Sequence, residues 1–195
     1  SGGPREINDE VPGRFKGPLT LMKMISSIIE PLEMSSVPEG DFSPWDGKVL
    51  MRDKILYWYN EEYKPYPLAK RKERVMARIH RWVEMELKKS PSEALFKERK
   101  KKATQREKSY ATKWPKYEPL TLYKQMFRVL KAPIGWSDEA LQGIPTSVLK
   151  STQLDLKKDI IREEDLSPLL YIHYLLNDIS SEQRFDHIVI DEAQD

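Results

Sequence analysis

The spacing of apolar residues along the chain predicts a mainly helical protein. After an irregular entry over residues 1–18, Thr20 can cap a helix that runs to about Leu32 and carries apolar side chains every three or four residues. Those side chains are Leu21, Met24, Ile25, Ile28, Ile29 and Leu32. Further on, Lys48–Leu50 is predicted as a short strand, and Asp53–Tyr59 as a short helix rich in aromatic residues.

Two long helices are predicted in the middle of the chain. The first spans Leu68–Lys89 and is amphipathic, with an apolar face formed by Val75, Ile79, Trp82, Val83 and Leu87. The segment Ser90-Pro91-Ser92-Glu93 then places Ser at the N-cap, Pro at the first helical position and Glu at the third, which is a strong helix start. The second helix continues to about Ala111. Two helices joined so closely form a helical hairpin over residues 66–113, which is a common way of building a protruding arm.

Shorter helices and one apolar strand are predicted after the hairpin. The helices are Thr121–Leu130, Ser137–Gly143, Pro145–Ile160 and Leu169–Asn177, the last with Ser167-Pro168 as N-cap and first position. Asp186–Ile190 is a short apolar run that predicts a buried strand. The pattern therefore predicts an α fold with very little β structure.

The charge distribution marks the hairpin as a separate lobe. The net charge of the chain is only +2, but residues 64–117 contain 18 basic and 6 acidic side chains, whereas the segments on both sides are acidic. A basic lobe between acidic flanks indicates a partner of its own, and a surplus confined to one lobe favours a protein partner over a continuous DNA groove. The chain has no cysteine, which excludes disulfides and cysteine-ligated zinc.

The basic lobe offers a set of candidate binding residues. They are Arg74, Arg78, Arg81, Lys97, Lys100, Lys101, Lys102 and Arg106. These cations can bind nucleic-acid phosphates or an acidic protein surface, or they can form a solvated helix face in which Glu73 and Glu84 pair with the arginines. Tyr110, Trp114 and Tyr117 lie among the lysines and can stack on bases, although packing at the base of the hairpin is the favoured interpretation.

The chemistry-bearing motif follows the predicted strand. An apolar strand that delivers adjacent carboxylates at its C-terminal end is the Walker B arrangement, because open parallel sheets bind ligands beyond the carboxyl ends of their strands. Asp191 would hold Mg²⁺ through water, Glu192 would orient and deprotonate the attacking water, and Gln194 could sense the phosphate. The alternative is an acidic turn after an ordinary strand.

The residues around this motif resemble a known family. Ile190-Asp191-Glu192-Ala193-Gln194-Asp195 resembles motif II of superfamily 1 helicases of the UvrD/PcrA/Rep kind, and the preceding Asp165–Ile172 helix is similar to the same family. Arg14–Leu19 and Tyr59–Glu86 resemble the HelD-like group, helicase-like ATPases that associate with bacterial RNA polymerase.

The resemblance implies an organisation and a function. Residues 161–195 would be the C-terminal piece of a first RecA-like α/β ATPase domain, and residues 19–160 would be a helical insertion that projects as an arm. That arm would bind bacterial RNA polymerase near its clamp and DNA channel. ATP and Mg²⁺ bound in the intact parent protein would drive release or recycling of transcription complexes.

The sequence also departs from the family pattern. No Gly-x-x-x-x-Gly-Lys-Ser/Thr phosphate loop occurs in the chain, so we expect it alone to be inactive as an ATPase and to hold no bound cofactor. No apolar run approaches the ~20 residues of a transmembrane helix, and we expect a cytoplasmic, monomeric piece without membrane association.

Two alternatives stay open. One is an accessory subdomain of a UvrD/Rep-type helicase that grips DNA, and the other is a helical binding module with a chance acidic tail.

Overall fold

The computed structural model describes residues 17–177, apart from the side chains of residues 17–20 and 140. Most of the chain in this range is helical. The helices are α1 (Gly17–Met34), α2 (Arg52–Tyr57), α3 (Leu68–Leu87), α4 (Glu93–Lys113), α5 (Pro119–Met126), α6 (Glu139–Gln142), α7 (Thr146–Lys157) and α8 (Glu163–Leu176). A π-helical turn, Trp58–Glu62, continues α2. The prediction of a mainly helical protein is therefore confirmed for the described residues.

One of the two predicted strands is absent from the described residues, and the other falls outside them. Lys48–Leu50 forms no strand, and within the described range β pairing is limited to one antiparallel bridge between Phe42 and Leu50. The predicted strand Asp186–Ile190 lies outside the described residues, and so does most of the irregular entry.

The chain forms two compact units. The hairpin unit is Glu33–Lys116, and the flanking unit is the described part of Ser1–Leu32 and Tyr117–Asp195. Within the predicted insertion 19–160, the helices α5–α7 therefore belong with α8 rather than with the hairpin. The extent of the insertion stays a prediction.

The hairpin unit is built on a narrow apolar contact between α3 and α4. Val75, Ile79 and Val83 of α3 are buried, since they recur every four residues on one face. The long and polar helix α4 buries Ala103 and Tyr110 on its inner face, and Trp114, which caps its C-terminus, is also buried. The neighbouring aromatic rings complete this core. Ring centroids lie 5.3 Å apart for Phe42 and Tyr110, and 5.7 Å apart for Tyr59 and Trp114.

The start of α4 lies two residues later than predicted. The N-cap is Ser92, whose Oγ accepts a hydrogen bond from the N–H of Leu95 at 3.1 Å. Ser90, the predicted cap, instead donates its N–H to the carbonyl of Leu87 at 3.0 Å. Ser90 therefore completes the last turn of α3, and the next serine caps the following helix.

In the flanking unit, α8 begins earlier than Ser167-Pro168 predicts. Asp165, at the third helical position, is fully buried and accepts the N–H of Arg162 at 2.8 Å. The acidic residues Glu163, Glu164 and Asp165 fill the first turn, where the helix dipole favours negative charge. These residues start the helix before Pro168, which is accommodated inside it at the cost of one backbone hydrogen bond.

Candidate partner-binding surface on the helical hairpin

One face of α4 presents lysines to solvent. The lysine face comprises Lys97, Lys100, Lys101 and Lys108, all exposed; Lys97, Lys101 and Lys108 lie opposite the buried Ala103 and Tyr110, and Lys100 lies at the edge of the face. Lys97 lies 3.7 Å from Glu93, one helical turn away. The other three have no ion-pair partner among residues 17–177. Their ammonium groups are therefore available to an external anionic surface.

Two other predicted cations of α4 are engaged inside the hairpin unit. Arg106 donates from Nη2 to the carboxylate of Asp46 at 2.8 Å and from Nη1 to the carbonyl of Ser43 at 3.2 Å. The Nζ of Lys102 lies 3.9 Å from the same carboxylate. Hydrogen bonding from Arg106 lowers the pKa of Asp46. These two side chains hold the 43–46 loop against α4, so they are not part of the lysine face.

Arg78 of α3 is also held internally. Its Nη1 donates to the carboxylate of Glu62 and, at 3.2 Å, to the hydroxyl of Tyr63. Its guanidinium lies 4.8 Å from the centre of the Trp58 ring. Arg78 therefore ties α3 to the π-helical turn.

Arg74 and Arg81 keep their donors available. Arg74 is exposed and lies 5.0 Å from the centre of the Tyr66 ring, which holds the guanidinium in place by a cation–π contact. Arg81 is exposed and has no ion-pair partner in the described part of the chain. The acidic residues that could neutralise them bind elsewhere, since Glu73 pairs with Lys70 at 3.3 Å and Glu84 with His80 at 2.9 Å.

Sequence reasoning missed Arg71, which organises the base of the hairpin. It is 4 % exposed and donates to the carbonyls of Tyr66 and Lys64 at 3.1 and 3.0 Å. It lies 3.6 Å from the carboxylate of Glu33. The signal was present, because Arg71 stands four residues before Val75 on the same row as the buried positions of α3.

His80 connects the two helices of the hairpin. Its Nδ1 is 2.9 Å from Glu107 of α4, and its Nε2 is 2.9 Å from Glu84 of α3. A neutral imidazole carries one N–H, so both contacts are hydrogen bonds only when the ring is protonated. The hydrogen bond to Glu107, with both carboxylate charges, raises the pKa of His80 above its ordinary value of about 6.5.

This geometry predicts that the contact of His80 with Glu107, which joins α3 to α4, stabilises the hairpin in a pH-dependent way. A raised pKa in the folded state means that the stabilisation is complete below the unfolded pKa and is lost as the pH rises through the folded pKa. We expect Glu107→Gln to lower the pKa of His80 in an NMR titration more than Glu84→Gln does. The His80→Gln variant identifies the resonance and should flatten the pH dependence of hairpin stability above pH 6. An unchanged titration in Glu107→Gln would contradict this assignment.

The two aromatic side chains predicted to lie among the lysines, Tyr110 and Trp114, are not available for base stacking. Tyr110 and Trp114 are 4 % and 3 % exposed. The favoured interpretation, packing at the base of the hairpin, is confirmed for these two residues, whereas Tyr117 is half-buried and belongs to the flanking unit. Nucleic-acid stacking on these rings would require the hairpin to open.

The predicted nucleotide-binding residues Asp191, Glu192 and Gln194 lie outside the described residues. Within residues 17–177, no group of three potential metal-ligating His, Asp or Glu side chains is placed to hold a metal ion. In the same range, every helix is too short or too polar to cross a membrane.

Comparison with known proteins gives no relative for this chain. No family model matches it, and neither a curated protein nor a solved structure matches it significantly.

Proposed function

We propose that this chain belongs to a HelD-like, superfamily 1 helicase-type ATPase and that its hairpin unit is an arm that binds bacterial RNA polymerase. The observation that carries the proposal is the lysine face of α4, on which Lys100, Lys101 and Lys108 have no ion-pair partner within the described residues. Cations that are solvated and unpaired steer association with an acidic protein surface. The resemblance of residues 190–195 to motif II is the basis for assigning the parent protein to the superfamily 1 helicase-type ATPases.

A protein partner fits this face better than DNA does. The exposed cations of α4 that lack an ion pair are lysines, which act as point charges, whereas Arg106 is engaged by Asp46 and Arg99 by the Ser90 hydroxyl and the Trp45 ring. The neighbouring rings Tyr110 and Trp114 are buried, so the face lacks a platform for bases. The acidic segments on both sides of residues 64–117 would oppose a continuous phosphate-binding groove.

In this proposal, the end of the chain contributes half of an ATPase site. The strand Asp186–Ile190 would belong to a RecA-like sheet. Asp191 would hold Mg²⁺ through water, Glu192 would orient the attacking water, and Gln194 would sense the γ-phosphate. A phosphate-binding loop would come from another part of the parent protein.

Charge reversal on the lysine face tests the proposal. We expect Lys100→Glu/Lys101→Glu/Lys108→Glu to weaken binding of the chain to purified RNA polymerase core roughly tenfold, because three attractive charges become repulsive. Binding is measured at physiological salt, with a duplex-DNA gel shift beside it. The matched control is Lys131→Glu/Lys150→Glu/Lys157→Glu, the same charge change on exposed residues of the flanking unit.

The outcomes separate the candidate functions. Loss in the α4 variant with little change in the control supports the polymerase-binding arm. Wild-type binding to DNA without binding to polymerase would replace this proposal with a DNA-gripping accessory subdomain. Equal losses in both variants would mean that overall charge, rather than the lysine face, sets the affinity.

A further inference from the structure

The solvent side of α3 carries a second, differently patterned surface. We call it the α3 stripe, and it is formed by Arg74, Ala77, Arg81, Met85 and Lys88, all of them exposed. Met85 is 63 % exposed and is the one large apolar side chain of the stripe. The stripe lies opposite the buried row of Val75, Ile79 and Val83.

The stripe has the spacing of a helix-pairing seam. Its members follow one another at intervals of three, four, four and three residues, which is a mean of 3.5 residues. At 100° per residue, all five fall within roughly 80° of the helix circumference, and at 1.5 Å per residue they extend over about 21 Å. A 3.5-residue repeat keeps one line of side chains facing a second helix.

The charges of the stripe are not neutralised within the described residues. Arg74 is held over the ring of Tyr66, while Arg81 and Lys88 make no ion pair in that part of the chain. The nearest acidic neighbours on α3 are bound by other side chains, as Glu73 contacts Lys70 and Glu84 contacts His80. Arg74, Arg81 and Lys88, which are seven residues apart, are therefore available to bind acidic groups of another molecule.

We propose that the α3 stripe docks an acidic amphipathic helix of the partner protein. The small side chain of Ala77 allows a second helix to approach closely, and Met85 offers a flexible apolar contact. Arg74, Arg81 and Lys88 then pair with carboxylates that repeat at heptad spacing on that helix. The identity of the partner rests on the proposed function, so the helix is a segment of RNA polymerase.

A protein helix accounts for the stripe better than nucleic acid does. A phosphate backbone would use the three cations, but it would gain nothing from an exposed methionine and an alanine set between them. A docked helix uses both, because helix seams alternate apolar contacts with flanking ion pairs. The combination of cationic and apolar side chains in the stripe therefore favours a protein helix over nucleic acid.

Two variants test the charge and the shape of the stripe separately. Arg74→Glu/Arg81→Glu should weaken binding to RNA polymerase core about tenfold more than Lys150→Glu/Lys157→Glu, which makes the same charge change elsewhere. Ala77→Trp changes no charge but blocks close approach, and it should weaken binding several-fold. Circular dichroism of each variant checks that the helices are retained.

Photo-crosslinking identifies what the stripe touches. A benzophenone amino acid at Met85 should give an adduct that maps to a helical, acidic segment of the polymerase, while the same group at Gln105 of α4 should not reach that segment. The inference is overturned if wild-type protein binds polymerase and Ala77→Trp binds equally well, or if the Met85 adduct forms on DNA or on a non-helical segment. Failure of wild-type protein to bind polymerase would instead remove the proposed function, and this inference with it.

Discussion

Replacing Arg71 with Ala is expected to lower the free energy of unfolding of the hairpin unit by roughly 3 kcal/mol, because hydrogen bonds from a buried charged group are lost. The guanidinium donates to the carbonyls of Tyr66 and Lys64 and lies 4.9 Å from the centre of the Tyr59 ring. Its loss leaves those two carbonyls without this donor and Glu33 without its cation. The segment before α3 would then depend on its remaining contacts, among them those of Arg78 with Glu62 and Tyr63 and of Arg74 with the Tyr66 ring.

Hydrogen exchange of the α3 and α4 amides measures this effect within the hairpin unit. Arg71→Lys should recover only part of the stability, since one ammonium cannot reproduce the planar fork that reaches both carbonyls. The matched control is Arg74→Ala, an exposed arginine one turn along the same helix, for which a change within about 0.5 kcal/mol is expected. Equal protection in Arg71→Ala and wild-type protein would show that the buried fork does not stabilise the unit.

The second large effect is expected at Asp165 in the flanking unit. Asp165→Ala should destabilise that unit by about 3 kcal/mol, because a buried hydrogen-bond acceptor and the start of α8 are lost together. The carboxylate is fully buried, accepts the hydroxyl of Tyr123 at 2.7 Å and accepts the N–H of Arg162 at 2.8 Å. Hydrogen exchange of the α8 amides is the measurement.

A double-mutant cycle separates the two contributions of Asp165. Tyr123→Phe removes the hydroxyl but keeps the ring, which packs 5.0 Å from Phe127, and should cost about 1 kcal/mol. If the hydroxyl and the carboxylate interact, the double variant will be more stable than the sum of the single effects implies. Strict additivity would indicate that Asp165 acts only as the helix cap.

Sequence periodicity located the helices, but it did not fix their exact ends or distinguish their engaged charges from their available ones. The row that begins at Val75 identified the buried side of α3, because burial on a helix follows the period of its side chains. The start of α4 was misplaced because Ser90 and Ser92 are equally good caps until the backbone of Ser90 is used by α3.

The candidate surface shows the same limit. Lysines and arginines of the hairpin look equivalent in sequence, yet Arg106 is engaged by Asp46, which is 60 residues away. Arg78 is likewise engaged by Glu62 across the turn before α3. Tertiary structure was therefore required to separate Arg74, Arg81 and Lys101 from the cations that hold the hairpin together.

The flanking unit is assembled from two stretches of chain that meet where the hairpin unit leaves and returns. The hydroxyl of Tyr117 donates to the carbonyl of Leu32 at 3.2 Å. On the ribosome, α1 emerges before the hairpin unit, and the other helices of the flanking unit follow only after the whole of Glu33–Lys116 has been made. At about 5–20 residues per second, α1 waits several seconds with its apolar face uncovered, while the contiguous hairpin unit can fold as soon as it appears.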